Sequence, residues 1–119
     1  MTKILNKNPV FRKTKSSAPY FEGYYFKFVN KSDEIAIIIA GISISKNEKY
    51  AFIQIASNHL KELNLYKFPL SDLTFSNKIF SFEIGDNKFS QKNITLNLKG
   101  ISANIEIKHP INWSRSIFN

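Results

Sequence analysis

Apolar and polar residues alternate along most of this chain with a period of two, which is the pattern of a β-strand with one buried face. Residues 101–107 show it most clearly, because isoleucine or alanine fills every odd position and a polar residue every even one. No segment shows a strong helical period. The pattern predicts about seven to eight strands: Tyr20–Asn30, Glu34–Ser45, Lys49–Ser57, Tyr66–Pro69, Asp72–Phe75, Ile79–Ile84, Asn93–Lys99 and Ile101–Lys108.

Short polar segments with turn-forming residues separate the predicted strands. One is Lys46–Glu48, and another is Gly85–Asn87, where Gly85 or Asn87 is suited to a positive φ. His59–Leu65 fits either a helical turn or an irregular connection. Many short strands at close spacing predict an all-β fold, namely an antiparallel barrel or sandwich.

The first predicted strand is apolar on both of its faces. Tyr20, Tyr24, Phe26 and Phe28 lie on one face, and Phe21, Tyr25 and Val29 lie on the other. We therefore expect other parts of the protein to cover this strand on both sides.

The chain divides into three parts by composition. Residues 1–18 lack the alternation, and we expect a basic, flexible leader. Residues 19–110 form a single β domain, which is what a length of 119 residues allows. Residues 111–119 are rich in apolar and aromatic side chains, including Trp113, and are expected to lead towards a missing C-terminal half of a longer protein.

The composition limits the compartment and the chemistry. The chain contains no cysteine, which excludes disulfides, thiolate metal sites and cysteine nucleophiles. Met1–Lys15 is polar and basic, unlike a signal peptide, and the apolar run Ile35–Ile42 is too short to span a bilayer. These features predict a cytoplasmic protein.

The formal charge of +8 is concentrated near the start of the chain. Five lysine and arginine residues and no acidic residue lie among the first fifteen positions, whereas the rest is nearly balanced. A basic leader on a balanced body is more typical of a solvated tail than of a surface that follows a phosphate backbone. From this charge pattern we therefore expect that the protein does not bind nucleic acid.

Metal chemistry has no support in the sequence. The histidines, His59 and His109, are fifty positions apart and have no acidic residue at ligand spacing. There is also no glycine-rich phosphate loop and no GxSxG nucleophile motif. We therefore expect neither a metal nor an organic cofactor.

Three polar residues in apolar strands are the candidates for chemistry. Glu22 and Lys27 lie within an aromatic run, and a carboxylic acid enclosed by aromatic rings keeps its proton more readily than one in water, as a general acid must. The structural alternative, which the sequence favours, places both charges at strand ends or in ion pairs. Gln54 either braces its sheet through hydrogen bonds, the favoured interpretation, or faces a ligand.

Several segments, in this order, resemble the tocopherol cyclase family. Residues 21–27 match its FEGWYFK-type signature, 37–42 an apolar strand that ends in PGI, 51–54 its AFIQ segment, and 89–96 a later FS…I.L pattern. Tyr24 stands where the family has tryptophan, Ala40 replaces proline, and Asn93 replaces glycine. Family members are also much longer than this chain.

The resemblance implies a lipocalin-like β architecture, usually as paired β domains. It also implies binding of a lipophilic prenylated substrate and, in a full-length parent, proton-initiated closure of a chromanol ring by an intramolecular cyclase of the isomerase class. No cofactor is needed for that reaction. From residue type, Glu22 is expected to donate the proton, and the expected substrate-binding residues are Tyr24, Tyr25, Phe26, Lys27 and Gln54.

Two other functions remain open alternatives. The first is a non-catalytic lipocalin-type module that binds a hydrophobic small molecule. The second, ranked lower, is a nucleic-acid-binding β-barrel that uses surface aromatics and lysines. For larger partners, a second β domain, a homo-oligomer and a peripheral contact with a membrane are the alternatives.

Overall fold

The computed structural model describes residues 11, 19–29, 31–58 and 63–107, together with the backbone of residues 114–118. These residues form ten β-strands and a single 3-10 turn at Leu70–Asp72. The strands are β1 (Tyr20–Val29), β2 (Ile35–Ile44), β3 (Lys49–Ser57), β4 (Asn64–Pro69), β5 (Leu73–Phe75), β6 (Ser81–Ile84), β7 (Asn87–Ser90), β8 (Asn93–Leu98), β9 (Ile101–Glu106) and β10 (Ser114–Phe118).

The strands form two antiparallel sheets of five strands each. Sheet A has the order β10-β1-β2-β3-β4, and sheet B has the order β5-β6-β7-β8-β9. The all-β prediction is confirmed. Over the described residues neither sheet closes on itself into a barrel, and the arrangement of the two sheets is sandwich-like.

The sequence predicted eight of the ten strands and missed two. Strand β4 lies at the edge of sheet A and ends at Pro69, as expected for a strand stopped by proline. Strand β7 was missed because it has only four residues, and Phe89 is its only large apolar one. Strand β10 lies in the predicted tail, where the sequence showed no alternation. Of the segment His59–Leu65, residues 59–62 lie outside the described residues, and the segment ends inside β4.

The core lies between the two sheets and is rich in phenylalanine. The ring of Phe26 on β1 stacks on that of Phe89 on β7, with centroids 5.7 Å apart. The Tyr66 hydroxyl on β4 donates a hydrogen bond of 3.2 Å to the carbonyl of Lys99, which follows β8. Rings and a polar contact thus join the two sheets.

The outer faces of the two sheets differ. On sheet B the outward side chains of β6 to β9 are polar, among them Glu83, Lys88 and Asn104. On sheet A many are apolar, and Tyr25 is 37% and Val29 57% exposed. The predicted cover on both sides of the first strand is therefore only partial.

Two segments outside the predicted β domain contribute to the structure. Phe11, in the predicted leader, is fully buried in the core. Strand β10, in the predicted tail, pairs with β1 along the edge of sheet A. No helix within the described residues has the length and apolar character needed to cross a bilayer.

Candidate functional site

Glu22 is the third residue of β1 and points into the core. The two-residue period of the strand places it on the same face as Tyr20 and Tyr24. Its side chain is 1% exposed, although a buried carboxyl group is costly unless polar groups contact it. Glu22 is therefore the feature of the core that most needs an explanation.

Among the described residues, three donors contact the Glu22 carboxyl group. The Tyr20 hydroxyl donates to Oε1 at 2.6 Å, and the Tyr24 hydroxyl donates to Oε2. The backbone N–H of Phe11 also donates to Oε2, at 2.9 Å. Both oxygens thus accept hydrogen bonds, which satisfies the buried acceptor.

Aromatic rings from both sheets surround this cluster. The Phe11 ring packs edge-on against Tyr24 and Phe82, with centroids 5.3 Å and 4.9 Å away. The Tyr24 ring also meets Phe80 at 5.3 Å in a T-shaped arrangement. These rings exclude water from the carboxyl group, so hydrogen bonds to it act in a medium of low dielectric constant.

The electrostatics of the site suit an acceptor. Among the described residues, no lysine or arginine forms an ion pair with Glu22, and the contacts to it come from two hydroxyl groups and one amide. A carboxylate accepts hydrogen bonds and donates none, which matches this set of donors. The group can therefore accept a further hydrogen bond from a ligand, or exchange a proton with the tyrosine hydroxyls.

A close backbone contact fixes the position of β1 at Glu22. Gly41 on β2 pairs with Gly23 on β1. A Cβ atom on Gly41 would overlap the carbonyl oxygen of Glu22 and would lie 2.7 Å from the Cα of Gly23. Only glycine permits this approach of the two strands, which places the Glu22 backbone against β2.

The structure places the predicted site residues on two opposite faces of sheet A. Glu22, Tyr24 and Phe26 point into the core. Tyr25 and Lys27 point outwards, so Lys27 does not pair with Glu22.

Gln54 also lies on the outer face, in one row across the sheet with Tyr25, Ile39 and Leu65. It is only partly buried there. The six predicted residues therefore do not form one site, and three of them belong to the outer surface.

The sequence did not identify Tyr20 or Phe11 as site residues. Tyr20 precedes Glu22 by two positions, so the two-residue period of the strand already indicates that both side chains lie on the same face. Phe11 carried no local signal, because a long-range contact with Glu22 and a turn backbone determine its position.

A depression of about 440 Å³ lies on the outer face of sheet B, among polar residues that include Ser81, Glu83 and Lys88, and none of the predicted site residues lines it. Within the described residues no three histidine or acidic side chains cluster as metal ligands would. His59 and His109 lie outside those residues.

Comparisons with protein family models, with curated proteins and with solved structures find no match for this chain. The similarity to the tocopherol cyclase family therefore remains an interpretation of the motifs given above.

Proposed function

We propose that this chain is a tocopherol cyclase-like β domain that binds a lipophilic prenylated ligand between its two sheets. The observation that supports the proposal is the buried Glu22 carboxyl group, enclosed by aromatic rings and held by two tyrosine hydroxyls. Such a group anchors the polar head of a ligand by accepting a hydrogen bond, while the rings receive its apolar part. Binding is the step that this arrangement supports best.

Ring closure is the further step that the resemblance implies in a full-length parent. Glu22, whose three described donors fit the carboxylate form, would first have to take up a proton. It would then transfer this proton to the alkene of the ligand, and the resulting cation would be attacked by the phenol oxygen of the same molecule. The phenol proton would then return to the carboxylate, so the reaction is an isomerisation that consumes no cofactor. Tyr20 and Tyr24, which contact the two carboxyl oxygens, would carry protons to and from Glu22.

The alternatives differ from this proposal in specific ways. A non-catalytic binding module would share the same interior and lack turnover. A nucleic-acid-binding surface needs several exposed rings beside lysines; Tyr25 is exposed on the same face as Lys27, but Tyr24 and Phe26 are buried on the opposite face. We therefore rank nucleic acid below a lipophilic ligand, as the sequence did.

Native mass spectrometry after incubation with a prenylquinol extract tests the proposal. We expect the wild-type protein to retain a prenylquinol, and Glu22→Gln to lose most of it, because the amide presents an N–H₂ group to donors that need an acceptor. Glu83→Gln is the matched control, since Glu83 is exposed on the outer face of sheet B. The proposal is wrong if the wild-type protein retains no lipid, or retains it equally after the Glu22 substitution.

A further inference from the structure

Phe11 differs from the other core residues in its backbone and in its contacts. Its φ of 55° lies in the left-handed region, which is uncommon for a large L-residue. Its side chain is nonetheless 0% exposed, and its N–H donates to the Glu22 carboxyl group. Residues held in such conformations persist only when their surroundings stabilise them, and they cluster at binding sites.

The contacts of Phe11 are those of a bound aromatic molecule. Its ring lies between the sheets, against Tyr24 of β1 and against Phe75 and Phe82 of sheet B, with centroids 4.9 to 5.7 Å away. Its polar N–H reaches the one buried carboxyl group among the described residues. An aromatic ring in an apolar site with a single oriented polar contact is the usual pattern of small-molecule recognition.

We propose that the space filled by Phe11 is a binding subsite for an aromatic ring with a hydrogen-bond donor two carbon atoms away. In the structure, Phe11 of the same chain fills this subsite in place of a ligand. The spacing follows from Phe11 itself, in which Cα and Cβ separate the donor nitrogen from the ring. The inference rests on the proposed function, because it concerns the same interior. The head of a ligand must then displace Phe11 to reach Glu22.

Competition with Phe11 lowers the affinity of the wild-type protein for such a ligand. Only those protein molecules in which Phe11 has left the subsite can bind the ligand. The apparent dissociation constant therefore equals the intrinsic one divided by the fraction of such protein molecules. Phe11→Gly removes the ring and tolerates the positive φ, and its backbone N–H, which the ring no longer anchors, can be displaced from Glu22 by the hydroxyl group of a ligand. This variant therefore exposes the subsite with little other change.

Two probes of equal size test the recognition. 2-Phenylethanol has the donor at the required spacing, and propylbenzene replaces its hydroxyl group with a methyl group. Phe89→Ala is the matched cavity control, because Phe89 is equally buried but its ring stacks on Phe82 and Phe26, and its ring contacts among the described residues do not involve Glu22. Affinities are measured by calorimetry, and the Phe11 amide is followed by NMR in wild-type protein labelled with ¹⁵N-phenylalanine.

We expect Phe11→Gly to bind 2-phenylethanol at least about tenfold more tightly than the wild type does, and more tightly than it binds propylbenzene. Phe89→Ala should not prefer the alcohol. In the wild type, saturation with 2-phenylethanol should shift the Phe11 amide resonance and accelerate its hydrogen exchange, because the bond to Glu22 is lost. This NMR result is independent of the folding of any variant.

Two outcomes would overturn the subsite. One is binding of 2-phenylethanol to the wild type with the Phe11 amide unchanged. The other is no binding to the wild type at a concentration about a hundredfold above the dissociation constant of Phe11→Gly, which would make Phe11 a fixed core residue. Either result leaves the prenylquinol experiment as the separate test of the proposed function, since retained prenylquinol would support lipid binding even without this subsite.

Discussion

The Tyr20 hydroxyl donates a 2.6 Å hydrogen bond to Oε1 of Glu22, two positions further along the same strand. Tyr24, two positions further again, donates to the other carboxyl oxygen. One β-strand thus supplies a buried acceptor and two of its donors, and the alternation of the strand alone brings the three side chains to one face. The central part of the site is therefore local in sequence.

The tyrosine hydroxyls should stabilise the fold through this shared acceptor. We expect Tyr20→Phe and Tyr24→Phe each to lower the free energy of unfolding by about 1 to 2 kcal/mol, because each removes a hydrogen bond to a buried carboxyl group. The double variant should differ from the sum, since both hydroxyls contact the same group. Urea denaturation measures this, with Tyr25→Phe on the outer face as the control. The contacts contribute nothing to stability if Tyr20→Phe and Tyr24→Phe each change the free energy of unfolding no more than Tyr25→Phe does, and if the double variant shows only the sum of the two changes.

Gly41 should tolerate no side chain. The Cβ of an alanine there would overlap the β1 backbone at Glu22, so the strands must separate, and we expect Gly41→Ala to cost about 3 kcal/mol in stability. Gly100→Ala is the control with space around the Cβ but a φ of 83°, where strain alone costs about 1 kcal/mol. Equal losses in the two variants, by thermal or urea denaturation, would contradict the close approach.

The sequence predicted the fold class and the central strands because alternation is a local signal. It singled out Glu22 because a charged residue stands within an aromatic run, and the structure places Glu22 and Tyr24 together on the inner face of β1. It also grouped Tyr25 and Lys27 with these two residues. Odd and even positions of a strand point to opposite faces, so the alternation alone already predicts that Tyr25 and Lys27 lie on the other face from Glu22.

Other parts of the structure depend on long-range contacts, which a single sequence does not show. Phe11 is buried because it meets Tyr24 and Phe82 across the sandwich, and nothing near it in the chain indicates this. Strand β7 is too short for its alternation to be recognised. Its first residue, Asn87, was assigned to a turn, whereas Gly85 has the positive φ and Asn87 begins the strand.

Asn87 should be a structural residue of sheet B. It is 1% exposed, its side-chain amide donates to the carbonyl of Ile84 at 3.0 Å, and its Oδ1 accepts from the N–H of Asn97 at 2.7 Å. We expect Asn87→Ala to destabilise the protein by about 2 to 3 kcal/mol, since two backbone groups lose their partner. Asn104→Ala, on the exposed outer face, should change stability by less than about 0.5 kcal/mol. Similar denaturation midpoints for the two variants would count against this role.

Ligand retention should depend on the inner face of β1 and not on the outer face. We expect Tyr24→Phe to weaken prenylquinol binding by about five- to tenfold, because one hydrogen bond that orients Glu22 is lost. Tyr25→Ala and Lys27→Ala should retain the ligand as the wild type does, since both side chains point away from Glu22. Ligand titrations followed by native mass spectrometry measure the difference. The reverse pattern would place binding on the outer face of sheet A.

The position of a bound ligand tests the account most directly. An isotope-filtered NOE spectrum of protein with labelled tyrosines, saturated with a prenylquinol, reports which rings contact the ligand. We predict NOEs from the ligand to the ring protons of Tyr20 and Tyr24, which lie beside Glu22 in the core. NOEs to Tyr25 in place of those two rings would contradict binding between the sheets.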